Sequence, residues 1–183
     1  MRHRRHGGRH FRVAEPSWSD PLSGGYSRAR GGRWNPPGAI PVVYLNATVE
    51  VARALVRKRL GPLAIGPEDL DPDAAPILVE TEVPTAAYVD AVTEAGLRSL
   101  GLPAEYPLDG HGAEVGHETC HPLGVAAQSA GEPGIAARSA AEIPSPGEEL
   151  AYFGPARLRP RGRRRFAEWF WTEPPAVSGH LSP

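Results

Sequence analysis

Gly31-Gly32-Arg33-Trp34-Asn35-Pro36-Pro37-Gly38, followed after Ala39 by the apolar run Ile40-Pro41-Val42-Val43-Tyr44-Leu45, is the stretch on which the reading of this chain turns. The run is rich in β-branched and aromatic residues and is bounded by Pro37-Gly38 and Asn46, which predicts a buried strand with Tyr44 near its end. Paired glycines let a backbone turn sharply and approach a ligand closely, and Arg33 offers a planar fork of donors suited to phosphate oxygens. Two readings of the turn stay open: a loop that holds a diphosphate, or a tight turn with Trp34 packed in the core. Tyr44 has the same two readings, ligand contact or core side chain.

Working outward, Asn46 or Thr48 can cap a helix whose apolar positions Val49, Ala52, Val56 and Leu60 form one stripe, ended by Gly61-Pro62. Ile77 to Val83 alternates, which predicts a strand with Glu80 and Glu82 toward water. Asp90 is placed at the start of a helix running to Leu100. A further helix is expected between His121 and Ala130, with His121-Pro122 at its first turn. Strands are expected over Ile135–Ala140, Leu150–Phe153 and Phe166–Trp171. Pro16 to Pro37 reads as a long ordered loop, because it carries Trp18, Tyr26 and Trp34. Residues 1–10 have nothing to bury and read as a disordered basic arm, residues 11–172 as one domain, and 173–183 as a disordered tail. Mixed strands and short helices make the fold class α+β, a compact mixed sheet with short helices.

A length of 183 residues suits a single domain, and 40% apolar residues suffice for a core, while 21 glycines and 21 prolines favour turns over long elements. No apolar run approaches the ~20 residues that cross a bilayer, and the start Met1-Arg2-His3-Arg4-Arg5-His6 lacks the apolar core of a secretory signal. With Cys120 as the single cysteine, no internal disulfide can form; the expected location is the cytoplasm. The formal net charge is −1, but arginine concentrates before Arg33 and again from Arg157 to Arg165. Those ends are solvated termini, or they meet over a phosphate-bearing ligand. Nucleic acid ranks last, since the middle is acidic and no nucleic-acid-binding motif occurs. His111, His117, Cys120 and His121 crowd together without the paired spacing of a zinc site, so no metal is expected. Ser139 lacks the surrounding glycines of a hydrolase elbow, and Arg138 beside it is expected to face solvent.

Taken in order, Phe11-Arg12-Val13, the Gly31–Gly38 block, Val43-Tyr44-Leu45-Asn46 with the helix after it, and Gly134-Ile135-Ala136-Ala137-Arg138-Ser139 resemble the RES domain, the toxin half of bacterial RES–Xre toxin–antitoxin pairs. The resemblance implies an ADP-ribosyltransferase-like RES fold. It also implies breakdown of NAD, the substrate, by cleavage of the nicotinamide–ribose bond with phosphate or water as acceptor, that is, NAD phosphorylase or glycohydrolase activity. By the same resemblance Arg33, Tyr44 and Ser139 are the catalytic candidates: Arg33 at the diphosphate or ribose, Tyr44 against nicotinamide, Ser139 orienting ribose or nicotinamide. Arg12 would be a second basic contact, with Trp34, Asn35 and Asn46 also on the ligand, and an Xre-like antitoxin would be the protein partner. The oligomeric state stays open.

One departure bears on activity. The family usually carries a glutamate on the helix after the tyrosine strand, and the aligned place here holds Leu55. Glu50 is a poor substitute, being rotated ~140° from the Leu55 direction on an α-helix. Asn46 stands where the family commonly has serine. Either catalysis is slow, another acid such as Glu80 or Glu82 reaches in, or the chain is a catalytically silent RES-fold module that binds NAD-like ligands or a protein partner.

Overall fold

The computed structural model describes residues 1–141 and 147–171. Its longest element is the strand β3 (Ile77–Ala91), introduced here with β1 (His3–Ala14), β2 (Val43–Asn46), β4 (Gly134–Arg138), β5 (Glu148–Tyr152) and β6 (Pro160–Arg164). Val79, Thr81 and Val83 are buried while Glu82 is exposed, the alternation that the sequence shows. β3 pairs along most of its length with β1, and its other edge takes β6 at Leu78–Thr81 and β4, in parallel, at Val89–Ala91. Because β4 then pairs with β5, β5 with β2, and β2 with β1, the ladders close β1, β2, β5, β4 and β3 into a ring.

Helices α1 (Gly25–Arg30), α2 (Val49–Leu60), α3 (Glu94–Leu100), α4 (His117–Ser129) and α5 (Phe166–Trp169) pack around that sheet. Thr48, not Asn46, caps α2, its hydroxyl accepting from Val51 N at 3.3 Å. The mixed α+β class with short helices is what the sequence indicates. No helix among the described residues is long and apolar enough to cross a membrane.

Several boundaries differ from expectation, each for a local reason. Residues 3–10 are not a frayed arm but the first part of β1. The far half of β3 offers an unpaired edge, and backbone hydrogen bonding needs no apolar side chain. Arg2 O accepts from Asp90 N at 2.9 Å, His3 meets Glu132 at 2.8 Å, and Arg4 meets Glu148 at 3.1 Å. Asp90 does not open a helix: β3 runs through Ala91, and the Asp90 carboxylate accepts from Val92 N and Thr93 N at 2.9 and 3.0 Å, leaving Thr93 to cap α3. α4 starts at His117, so Pro122 lies inside it. Part of the expected loop over 16–37 is the helix α1.

Phe166–Trp171 is not a strand. Phe166, Trp169 and Phe170 stand at i, i+3 and i+4, the spacing of one helical face, and all three are buried around α2. The contact is locked by Arg53, whose Nε and Nη2 donate to Trp169 O at 2.9 and 2.6 Å. The expected tail, 173–183, lies outside the described residues.

Candidate functional site

The Gly31–Asn35 turn is built by its own neighbours. Gly31 adopts φ 78°, a region that L side chains avoid, and Gly32 N donates to Asn35 O at 2.9 Å. A Cβ on Gly32 would stand 2.5 Å from the Tyr44 ring, so the close approach that this glycine permits is to Tyr44 itself. The Tyr44 hydroxyl accepts from Trp34 N and donates to Asn35 Oδ1, both at 2.8 Å. Asn35 Nδ2 in turn donates to Ser27 O at 2.8 Å and Ile40 O at 3.2 Å.

The turn therefore divides its side chains. Trp34 is 2% exposed and packs in the core near Tyr106, and Asn35 is fully buried. The expected ligand contacts of Trp34 and Asn35 are corrected accordingly: both hold the turn from inside, and neither lines the cleft beside it. Arg33 points the other way, into a cleft of about 650 Å³.

That cleft collects residues from segments far apart in sequence. Arg12 of β1, Arg33, Tyr44 and Asn46 line it, as does Leu55 of α2. Lys58 and Arg59 also line it; they stand three and four residues after Leu55, on the same helical face, a spacing from which their place could have been read. Arg12 donates to Ser23 O at 2.9 Å and lies over the Trp18 ring; burial pushes its guanidinium down to about 10, still cationic at neutral pH.

Glu114, from the loop before α4, crosses the cleft and takes hydrogen bonds from both Arg33 and Lys58. Burial pushes the Glu114 carboxyl up, but these two cations outweigh it and hold the group ionised below the ordinary range. Arg33 also donates to Val115 O at 3.1 Å. Burial works against its charge, and the facing Tyr106 and Glu114 more than compensate. Four cations (Arg12, Arg33, Lys58 and Arg59) line the cleft against three carboxylates (Glu15, Glu114 and Glu149), a surplus that suits an anionic ligand. His117 also lines the cleft, and burial first, then Arg33 and His121, push its imidazole below the ordinary histidine value.

Ser139 does not line the cleft. It is fully buried at the end of β4, where its hydroxyl donates to Glu149 Oε1 and accepts from Ala141 N at 3.1 Å. Arg138 is turned inward, donating to Val92 O, Ala104 O and Tyr106 O at 2.7–3.0 Å, contrary to the expected solvent exposure. Asn46 donates to Phe11 O at 3.2 Å.

Glu80 and Glu82 stay away: Glu80 accepts from Arg9 at 2.9 Å and Glu82 faces Arg161 at 3.9 Å. Glu50 is exposed and faces Arg53 at 3.6 Å. The carboxylate that sequence reasoning missed is Glu149, which lines the cleft from β5. No group of three or more histidine, cysteine or acidic side chains that could hold a metal occurs among the described residues. Cys120 is buried, and His121 Nε2 lies 2.9 Å from Gly32 O.

Comparison with known proteins gives a family and relatives. The chain matches the RES domain over residues 9–170. NAD(+) phosphorylase MbcT of Mycobacterium bovis is 30% identical over 134 residues, 70% of this chain and 72% of that protein, and the protein of the same name from Mycobacterium tuberculosis gives the same figures. Among solved structures, a chain of the M. tuberculosis MbcT–MbcA toxin–antitoxin complex superposes with a TM-score of 0.72 at 23% identity, covering 93% of this chain and 92% of that one. That likeness is one of fold.

Proposed function

This chain belongs to the RES domain family, and from that premise we propose that it consumes NAD, separating nicotinamide from ribose in the Arg33–Tyr44 cleft and passing the ribose to phosphate or water. The observation that carries the reading is the meeting, in one hollow with a surplus of cations, of Arg12, Arg33, Tyr44 and Asn46 from three separate segments. In an ADP-ribosyltransferase-like arrangement, Arg33 grips the diphosphate, assisted by Lys58 and Arg59, with Arg12 as a further basic contact. Arg33 is suited to this, since its fork can hold two oxygens at once. Tyr44 offers its ring, because its hydroxyl is already engaged at both lone pair and proton by the turn. Asn46 contacts the ribose, and Ser139 acts through Glu149.

In this reading the protein works in the bacterial cytoplasm and is held in check by an antitoxin of the Xre kind that covers the cleft mouth. The relation to MbcT, named an NAD(+) phosphorylase, supports the substrate and the phosphate acceptor. The test is to incubate the purified chain with NAD and phosphate and follow nicotinamide. Release well above buffer is expected, with ADP-ribose 1″-phosphate as the companion product when phosphate is the acceptor. Binding of NAD without release would leave a catalytically silent module; neither binding nor release would end the reading.

A further inference from the structure

Loss of nicotinamide leaves positive charge on the ribose, so the site needs an anion that is positioned, poorly solvated and not already neutralised. Two of the carboxylates in the cleft bear on this. Both oxygens of Glu114 are taken, one by Arg33 and one by Lys58. Glu149 is held differently: Oε1 accepts the Ser139 hydroxyl, and Oε2 has no partner among the described residues. The sheet register aims it. Asn46 stands directly opposite Glu149 on β2 and Ala137 opposite it on β4, so Tyr44, Asn46, Glu149 and Ser139 share one face. The adjacent Glu148 points to the other face, where it meets Arg4.

We propose that Glu149 is the catalytic carboxylate of this cleft, supplying from β5 the negative charge that Leu55 of α2 cannot. This rests on the NAD reading above. In the step, the bond between the ribose C1′ and the nicotinamide nitrogen breaks, and its electron pair stays on that nitrogen, which leaves as neutral nicotinamide. The cationic ribose faces Glu149 until an oxygen of phosphate or water forms the new bond to C1′, its proton passing to solvent. Glu149 forms no covalent bond. Ser139 is a positioning residue that fixes one carboxylate oxygen so that the other faces the sugar.

Burial pushes the Glu149 carboxyl up, and the Ser139 hydrogen bond with the cations Arg33, Lys58 and Arg59 only partly offsets it. Tyr44 and Tyr106 also feel its charge. An anion that the fold leaves under-solvated is the one a new cation stabilises most. Since the ionised form is required, turnover falls as pH drops through the raised value.

Glu149→Gln keeps the shape and the acceptor for Ser139. It should lower kcat by ~10²–10³ with KM for NAD changed only a few-fold and with thermal stability at neutral pH equal to or above that of the parent, because a partly buried charge has been removed. The acid limb of the pH profile should vanish with it. Ser139→Ala should shift the limb to higher pH, as the hydrogen bond favouring the ionised form is gone. A Glu149→Gln enzyme as active as the parent, or a limb unmoved in Ser139→Ala, overturns the proposal. Should Glu149→Gln not fold, the parent decides alone: a kcat flat from about pH 8 to about pH 5 overturns it. A parent that releases no nicotinamide takes down the NAD reading and this inference together, whereas an active parent with an active Glu149→Gln takes down only this one.

Discussion

Arginines crowd two regions of this molecule, the cleft and the β6 edge, and the two could hardly be held more differently. In the cleft, Arg12 is 4% exposed and the Arg33 side chain 10%, each fixed by backbone carbonyls and by a neighbouring ring or carboxylate. On and near β6, the side chains of Arg157 and Arg161 are 82% and 64% exposed, facing Asp20 at 3.0 Å and Glu82 at 3.9 Å. The sequence left open whether both basic ends meet over one ligand; no β6 residue lines the cleft, so they do not. Counting arginines locates neither site. Exclusion of water decides, because a charge pair near bulk solvent interacts several-fold more weakly than one in a poorly hydrated hollow.

The largest expected effect tests the cleft side of that contrast. Arg33→Ala should lower kcat/KM for NAD by ~10²–10³, the loss of a bidentate charged contact in a partly dry site. Arg33→Lys should restore only part of it, since an ammonium brings the charge without the fork. Unchanged kinetics in Arg33→Ala would remove the distinction between the two regions.

Next in size is Tyr44→Phe. The change leaves Trp34 N and Asn35 Oδ1 without their partner at the heart of the turn, which should cost ~1–3 kcal/mol of stability, read as a lower Tm. Turnover of the folded enzyme should fall less than in Arg33→Ala, because the ring that would pack on nicotinamide remains. A stability equal to the parent's would mean that the turn is held by other means.

These two residues show what the sequence could and could not tell. The turn, the strand after it and the cleft-facing Arg33 were legible because glycines, prolines and a β-branched run leave the backbone few options. Leu55 was placed in the cleft by alignment with the family, and Lys58 and Arg59 follow from helical spacing. Glu149 was not legible. In Glu148-Glu149 either side chain could face inward, and only the pairing Asn46↔Glu149 settles which one does. The N-terminal part of β1 was hidden for a related reason: its order comes from backbone pairing with β3 and from His10, which is buried despite being polar, so no apolar pattern announced it. In α5 the aromatic residues suggested β propensity, while their i, i+3, i+4 spacing carried the answer.

A smaller effect, and one of opposite sign, is expected at Glu114, whose carboxylate occupies the two cations that an incoming phosphate needs. Glu114→Gln should tighten NAD binding by roughly 3–10-fold, since the ligand no longer competes with an internal anion for Arg33 and Lys58. The parent should approach that affinity as pH falls through the depressed Glu114 value, where its own carboxylate is lost. Titration calorimetry at neutral pH and at a pH below the ordinary carboxylate range reads both. Weaker binding in Glu114→Gln would mean that the carboxylate orients Arg33 more than it blocks it.

The smallest effect belongs to the β6 edge and is the control on which the contrast rests. Arg161→Ala removes a side chain that is mostly in water and 3.9 Å from its carboxylate, a separation at which an exposed ion pair contributes ~0–1 kcal/mol and is screened further by salt. Its stability should stay within about 0.5 kcal/mol of the parent, and NAD turnover should be unchanged at low and high ionic strength alike. A loss of turnover that appears only at low salt would instead show β6 steering the anion toward the cleft from a distance. Water exclusion would then no longer be what separates the two groups of arginines, and the long-range field would have to be counted with the contacts.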